Sequence, residues 1–138
     1  MGRKKVFVSY DHSEDLHYKN LLRAWDANDN FDFEFDQRSP NEAIDSENAG
    51  KIKQSLAQKM KECDYLFVIV GAKSHTSKWM SWEINRAKES DIKLKLAAVK
   101  IDTTNTTPSG LLGTGTSFAH SFTQENIIKA LDNASNNY

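Results

Sequence analysis

The residue of this sequence that is best placed to do chemistry is Glu83. At helical spacing, Trp79 and Met80 lie on its side of a helix one turn earlier. A carboxyl group ringed by apolar side chains has a raised pKa unless something pairs with it. The alternative is a surface glutamate at the edge of an apolar stripe, which pairs with Lys78 or Arg86 and contributes little.

The elements that would position Glu83 follow from changes in hydrophobic period along the chain. Apolar runs or strict alternation predict strands at 6–8, 31–36, 65–70 and 94–101. Four helices are predicted between and after them, the third from about 79 to 90. Ser13 is the predicted N-cap of the first, and Ser121 with Gln124 a capping box for the last. The Thr-, Gly- and Ser-rich segment 102–117 is predicted to be a loop or poorly ordered.

Alternating strands and helices predict a single α/β domain over residues 1–138. We expect a flavodoxin-like, open, doubly wound parallel sheet with strand order 2-1-3-4 and room for a fifth short strand. The half-exposed second strand should lie near the sheet edge. Ligands of such folds bind beyond the carboxyl ends of strands 1 and 3, which points to the loops 9–13 and 71–82.

Two familiar sites of this fold class do not fit those loops. A phospho-receiver needs an acceptor aspartate at the end of the central strand, but that strand ends Val70-Gly71. A flavin or dinucleotide cradle needs glycines after strand 1, and residues 9–13 read Ser-Tyr-Asp-His-Ser. The glycines at 110, 113 and 115 stand in a late loop and in the wrong order.

Composition excludes several function classes. A net charge of −1 argues against a nucleic-acid binder, and no apolar run approaches the roughly 18 residues of a membrane helix. The single cysteine, Cys63, excludes an internal disulfide, and the histidines show no metal-ligand spacing. The N-terminus has no signal-peptide core. We therefore expect a soluble cytoplasmic domain without a metal, a membrane or a nucleic-acid partner.

Three segments of the chain resemble TIR domains. Residues 77–84, Ser-Lys-Trp-Met-Ser-Trp-Glu-Ile, match the family's Ser-x-Trp-x-x-x-Glu-(Leu/Ile) segment. Residues 6–10, Val-Phe-Val-Ser-Tyr, resemble its first strand, and 65–74 resemble its central strand and the serine that follows. The resemblance spans about residues 4 to 101 and is closest to bacterial and archaeal TIR-like proteins, including those of Thoeris antiphage defence.

This resemblance implies cleavage of the nicotinamide–ribose bond of NAD as a substrate, without a cofactor. By position, Glu83 would be catalytic, Trp79 would line the pocket, and Ser9 and Tyr10 would face the nicotinamide side. The other predicted substrate-binding residues are Phe7, Asp11 and, for the pyrophosphate, Arg38. For Tyr10, Asp11 and Arg38 an ordinary structural or solvated role is the alternative. The loop at 36–41, Asp-Gln-Arg-Ser-Pro-Asn, departs from the family's Arg-Asp-x-x-Pro-Gly by lacking the glycine.

One carboxylate is sufficient for this reaction. Ordinary glycosidases need two carboxyl groups because the leaving alkoxide must be protonated. Nicotinamide in NAD is a cationic pyridinium and departs neutral, so no general acid is needed. A nearby anion stabilises the ribosyl cation that remains, and it can accept hydrogen bonds from the ribose hydroxyls.

The leading hypothesis is therefore an NAD glycohydrolase or ADP-ribosyl cyclase. Its product would be ADP-ribose, a cyclic isomer, or an adduct with a small acceptor. The resemblance further implies a diffusible nucleotide that activates a separate effector protein, assembly into a homo-oligomer on activation, and a phage-derived trigger. The rival hypothesis is a non-enzymatic TIR-like scaffold that signals by self-association, for which Glu83 would be dispensable.

Overall fold

A computed structural model describes residues 4–11, 16–26, 33–36, 44 and 46–138. Its five strands and four α-helices alternate in chain order. They are β1 (Lys4–Ser9), α1 (Leu16–Asp26), β2 (Phe33–Asp36), α2 (Ala49–Lys61), β3 (Tyr65–Val70), α3 (Lys78–Ala87), β4 (Lys95–Lys100), β5 (Ser117–Ala119) and α4 (Gln124–Asp132). Short 3-10 turns occur at Ser74–Thr76 and Ser109–Leu111. Within the described residues, no helix has the length and apolarity to cross a bilayer.

The sheet is entirely parallel, and its strand order is β2-β1-β3-β4-β5. This confirms the predicted order and the short fifth strand. The central strand β3 is fully buried and pairs with both β1 and β4. At the edge, β2 buries Phe33 and Phe35 and exposes Glu34, as its alternating pattern predicted.

Side chains alternate across the sheet and build two separate cores. One core, which includes Val6, Val8 and Tyr10, is covered by α1 and α4. The other contains Phe7 and is covered by α2 and α3. Because Ser9 lies two residues after Phe7, it faces the same side as α3. This alternation is the reason that the polar side chain of Ser9 lies on the side of the sheet covered by α3.

Several predicted boundaries were wrong. Helix α3 ends at Ala87 rather than near 90, because the N–H of Leu94 donates to the Ala87 carbonyl at 2.9 Å and turns the chain into β4. Helix α4 is capped by Thr123, whose hydroxyl accepts from the Asn126 N–H at 3.2 Å. Ser121 contacts the Asn126 side chain instead, so the predicted capping box was misplaced by two residues. The predicted cap Ser13 lies outside the described residues.

The segment predicted as a loop between β4 and β5 packs closely against α3. Leu111 is buried in the second core, and the Lys88 ammonium donates to the Gly110 carbonyl at 2.7 Å. A Cβ on Gly110 would lie 2.7 Å from Cγ2 of Ile84. The segment is therefore part of the wall that holds α3 in place.

We expect Gly110→Ala to destabilise the fold by about 1–3 kcal/mol, because its methyl group overlaps a fully buried isoleucine. Gly50→Ala is the matched control, since a Cβ there meets nothing within 4 Å and alanine is the better helix former. Urea unfolding of both variants measures the difference. Equal stabilities would contradict the close approach of this segment to α3.

Candidate active site

The candidate site is centred on a hydrogen bond between the end of β1 and the middle of α3. The Ser9 hydroxyl donates to Oε1 of Glu83 at 2.7 Å. Both residues are almost fully buried, Ser9 at 0% and Glu83 at 2% exposure. Among the described residues, the second carboxyl oxygen of Glu83, Oε2, has no hydrogen-bond partner although it is buried. A buried polar atom without a partner is rare in folded proteins and requires an explanation.

Burial controls the protonation of Glu83. Loss of hydration raises the pKa of its carboxyl group from 4.5 to about 8, and the hydrogen bond from Ser9 opposes part of that rise. At neutral pH the carboxyl group is therefore mostly protonated. Strongly raised carboxyl pKa values concentrate at active sites, where a group must gain or lose charge during function.

The alternative interpretation of Glu83, a surface glutamate paired with Lys78 or Arg86, is wrong, because its side chain is buried and forms no ion pair with any residue that the structure describes. The Arg86 guanidinium contacts Glu89 at 2.9 Å and Asp91 at 2.8 and 2.9 Å. This exposed pair raises the pKa of Arg86 and lowers that of Asp91 to about 2 through their hydrogen bond. The nearest arginine along α3 is thus committed elsewhere, and Glu83 faces the core, where Met80 and Ala87 are buried on the same helix.

The connection from β3 to α3 is held by two serines. The buried Ser74 hydroxyl accepts from the Gly71 N–H at 2.8 Å and donates to the Ile69 carbonyl at 3.0 Å. Ser77 caps α3 by accepting from the Met80 N–H at 3.2 Å. These local bonds fix the first residue of α3. They therefore also fix the position along β1 at which the Glu83 side chain meets the strand.

Trp79 lies one turn before Glu83 and is half-buried. It meets Trp82 edge to face, with ring centroids 6.0 Å apart and planes at 87°. Both rings pack against the second core, and the Lys53 ammonium lies 5.9 Å from the Trp82 centroid. An aromatic wall with a cation beside it thus borders the helix face that carries Glu83.

Two of the other predicted substrate-binding residues, Tyr10 and Phe7, are core residues. Tyr10 is buried in the first core, on the opposite face of the sheet from Glu83, so it does not share with Ser9 the side that was predicted to face nicotinamide, and it has the structural role named as the alternative. Phe7 is fully buried in the second core and offers no surface for a ligand in this conformation. Asp11 is half-buried just beyond β1. Arg38 lies outside the described residues.

Sequence reasoning singled out both Ser9 and Glu83 but missed that they bond to each other. Ser9 was assigned to the substrate. The signal that could have found the pair is the two-residue alternation of β1, which puts Phe7 and Ser9 on the α3 side. Within the described residues, no cluster of three or more histidine, cysteine or acidic side chains could hold a metal ion.

We expect Ser9→Ala to raise the pKa of Glu83 by about one to two units, because a hydrogen bond to the charged form is lost. Titration of the Glu83 Cδ resonance by NMR measures the shift. Ser81→Ala, an exposed serine of the same helix, is the matched control and should leave the titration unchanged. A Glu83 midpoint that stays in place or falls in Ser9→Ala would contradict the bond.

A five-stranded parallel sheet in this order has flavodoxin-like architecture and, with a buried carboxyl group of α3 bonded to the last residue of β1, is consistent with a TIR-like domain. The chain belongs to the family described as Thoeris protein ThsB, TIR-like domain, whose family model matches residues 7–106. The matched region contains both Ser9 and Glu83. No curated protein matches the sequence. Membership of this family supports a role in Thoeris antiphage defence.

Proposed function

We propose that this domain cleaves the nicotinamide–ribose bond of NAD, with Glu83 as the catalytic residue. The observation that carries the proposal is the buried Oε2 of Glu83, which has no hydrogen-bond partner among the residues that the structure describes, on a carboxyl group whose other oxygen is held by Ser9. The site lies at the carboxyl end of β1, where ligands of doubly wound folds bind.

The chemistry requires the ionised carboxylate. As the neutral nicotinamide departs, positive charge develops on the ribosyl carbon, and an anion fixed nearby lowers the energy of that state. Ser9 holds Oε1, which leaves Oε2 for the ribose hydroxyls or the developing cation. Low local polarity makes this attraction stronger than it would be in water.

Ionisation and substrate binding are coupled in this proposal. Glu83 is mostly protonated when the site is empty, because its pKa is about 8. The pyridinium of NAD brings a positive charge to the site and lowers that pKa, so the bound substrate itself favours the catalytic form. An enzyme without substrate is then held in a neutral, inactive state.

Access to Glu83 requires a rearrangement. With 0% exposure at Ser9 and 2% at Glu83, substrate cannot reach Oε2 in the conformation described. We therefore propose that activation, by assembly into a homo-oligomer or by a phage-derived trigger, opens this site. The product, ADP-ribose, a cyclic isomer or a small-acceptor adduct, would then carry the signal to a separate effector protein.

The rival function, a scaffold without activity, does not explain why the carboxyl group of Glu83 is buried. A buried glutamate with a raised pKa destabilises the folded state at neutral and higher pH, and a glutamine would fill the same space without that effect. Destabilising groups of this kind are typical of functional sites.

The test is incubation of the purified protein with NAD, with nicotinamide and its co-products separated by chromatography and the oligomeric state measured in parallel. We expect nicotinamide release in equal amount to the ADP-ribose-derived product, and the identity of that product distinguishes water, internal and external attack. Self-association without nicotinamide release, under crowding and with infected-cell lysate added, would favour the scaffold.

A further inference from the structure

A cavity of about 470 Å³ opens at the end of the sheet opposite Glu83. Its wall includes Lys4, Tyr65 and Lys95, which are the first residues of β1, β3 and β4. Ser9 ends β1, so the cavity lies about 17 Å from the candidate active site, five residues at about 3.3 Å each. Its volume is in the range of small-molecule sites.

The cavity is positively charged in a chain whose net charge is −1. Three lysines, Lys4, Lys93 and Lys95, line it together with one acidic residue, Asp64. Asp64 is turned to the backbone, where its carboxylate accepts the Lys5 N–H at 3.2 Å. None of the three lysines forms an ion pair with a carboxylate of the described residues.

Aromatic rings, rather than carboxylates, hold these three ammonium groups. Lys95 lies 5.4 Å from the ring centroid of Tyr65, Lys93 lies 5.9 Å from that of Tyr138, and Lys4 lies 5.6 Å from that of Phe33. A ring face restricts the ammonium group but leaves its charge uncompensated, so the cations remain available to an anion.

Most of the remaining lining is apolar, and the C-terminal segment that borders it is hydrogen-bonded in place. Ile92, Leu94 and Cys63 contribute apolar surface. The C-terminal segment closes one side, since the Asn136 amide donates to the Lys93 carbonyl at 3.1 Å and the Tyr138 hydroxyl donates to the Leu94 carbonyl at 2.7 Å. The ligand that fits has an anionic end and an apolar part.

We propose that this cavity binds a nucleoside phosphate, with its phosphate on Lys4, Lys93 and Lys95. Lysine ammonium groups are common phosphate ligands, and the apolar wall provides a surface for the base. The site is separate from Glu83, and the proposal does not depend on NAD cleavage. A ligand here would leave the candidate active site unobstructed.

The test uses Cys63, the only cysteine of the chain, as a reporter in the cavity wall. We expect AMP to slow modification of Cys63 by a thiol reagent at least tenfold, and calorimetry to show AMP binding that weakens with added salt. Adenosine, which lacks the anion, should protect weakly. If inorganic phosphate protects Cys63 as well as AMP does, the cavity binds an anion but the proposal of a nucleoside ligand is wrong. If AMP has no effect at millimolar concentration, the whole proposal is wrong.

A pair of double variants locates the binding. Lys93→Asn with Lys95→Gln removes two cavity charges, and asparagine suits the positive φ of 45° at Lys93. Lys51→Gln with Lys129→Gln removes two exposed lysines elsewhere. We expect at least tenfold weaker AMP binding in the first protein and unchanged binding in the second. Equal weakening in both would show non-specific attraction and contradict the site.

Discussion

Glu83→Gln is expected to stabilise the folded protein increasingly as the pH rises from 4.5 to 8. The pKa of Glu83 is raised from 4.5 to about 8 in the folded state, so over this range the unfolded chain loses the proton while the folded chain keeps it. The stability that the neutral carboxyl group contributes is complete below pH 4.5 and is lost as the pH rises through about 8. The slope is about 1.4 kcal/mol per pH unit, and glutamine does not titrate.

Urea unfolding of the wild type and Glu83→Gln at a series of pH values measures this difference. The two free energies of unfolding should agree near pH 4 and differ by about 3–5 kcal/mol at pH 8 and above, with the variant more stable. Other titrating groups are common to both proteins and cancel. A constant difference across this range would mean that Glu83 ionises normally in the folded state.

The second large effect is on the pH dependence of NAD cleavage. The free enzyme rests mainly in the closed conformation, in which burial raises the pKa of Glu83 to about 8, and kcat/KM requires the ionised carboxylate. It should therefore rise about fiftyfold between pH 6 and pH 8 and level off above that pKa. The midpoint for kcat should lie at lower pH, because the bound pyridinium favours ionisation of Glu83. Initial rates of nicotinamide release at varied NAD concentration give kcat/KM and kcat separately at each pH. A flat kcat/KM profile over this range would contradict a neutral resting carboxyl group.

The sequence predicted the sheet well because hydrophobic period reports burial directly. The all-apolar residues 65–70 are the central strand, and the alternating residues 33–36 are the edge strand. The predicted helix ends were less accurate. Ala87 ends α3 because of a bond from Leu94, and Thr123 rather than Ser121 caps α4, and such bonds depend on tertiary position.

The candidate site was predicted only in part. The apolar neighbours of Glu83 at helical spacing correctly indicated a raised pKa. The partner of its carboxyl group could not be found by helical spacing, because Ser9 is 74 residues away in the chain. The resemblance implied that Ser9 and Tyr10 both face the nicotinamide side, yet adjacent residues at a strand end point to opposite faces of the sheet, and Tyr10 lies in the first core.

The most direct test is nicotinamide release from NAD at pH 8 by three proteins, the wild type, Glu83→Gln and Glu89→Gln, measured under crowding and with infected-cell lysate added and corrected for release by the lysate alone. Glu89 is an exposed glutamate whose side chain pairs with Arg86, so its variant controls for the loss of one carboxylate. We predict release by the wild type and Glu89→Gln, and release at least a hundredfold slower by Glu83→Gln. Equal release by Glu83→Gln and the wild type would contradict the assignment of Glu83 as the catalytic residue.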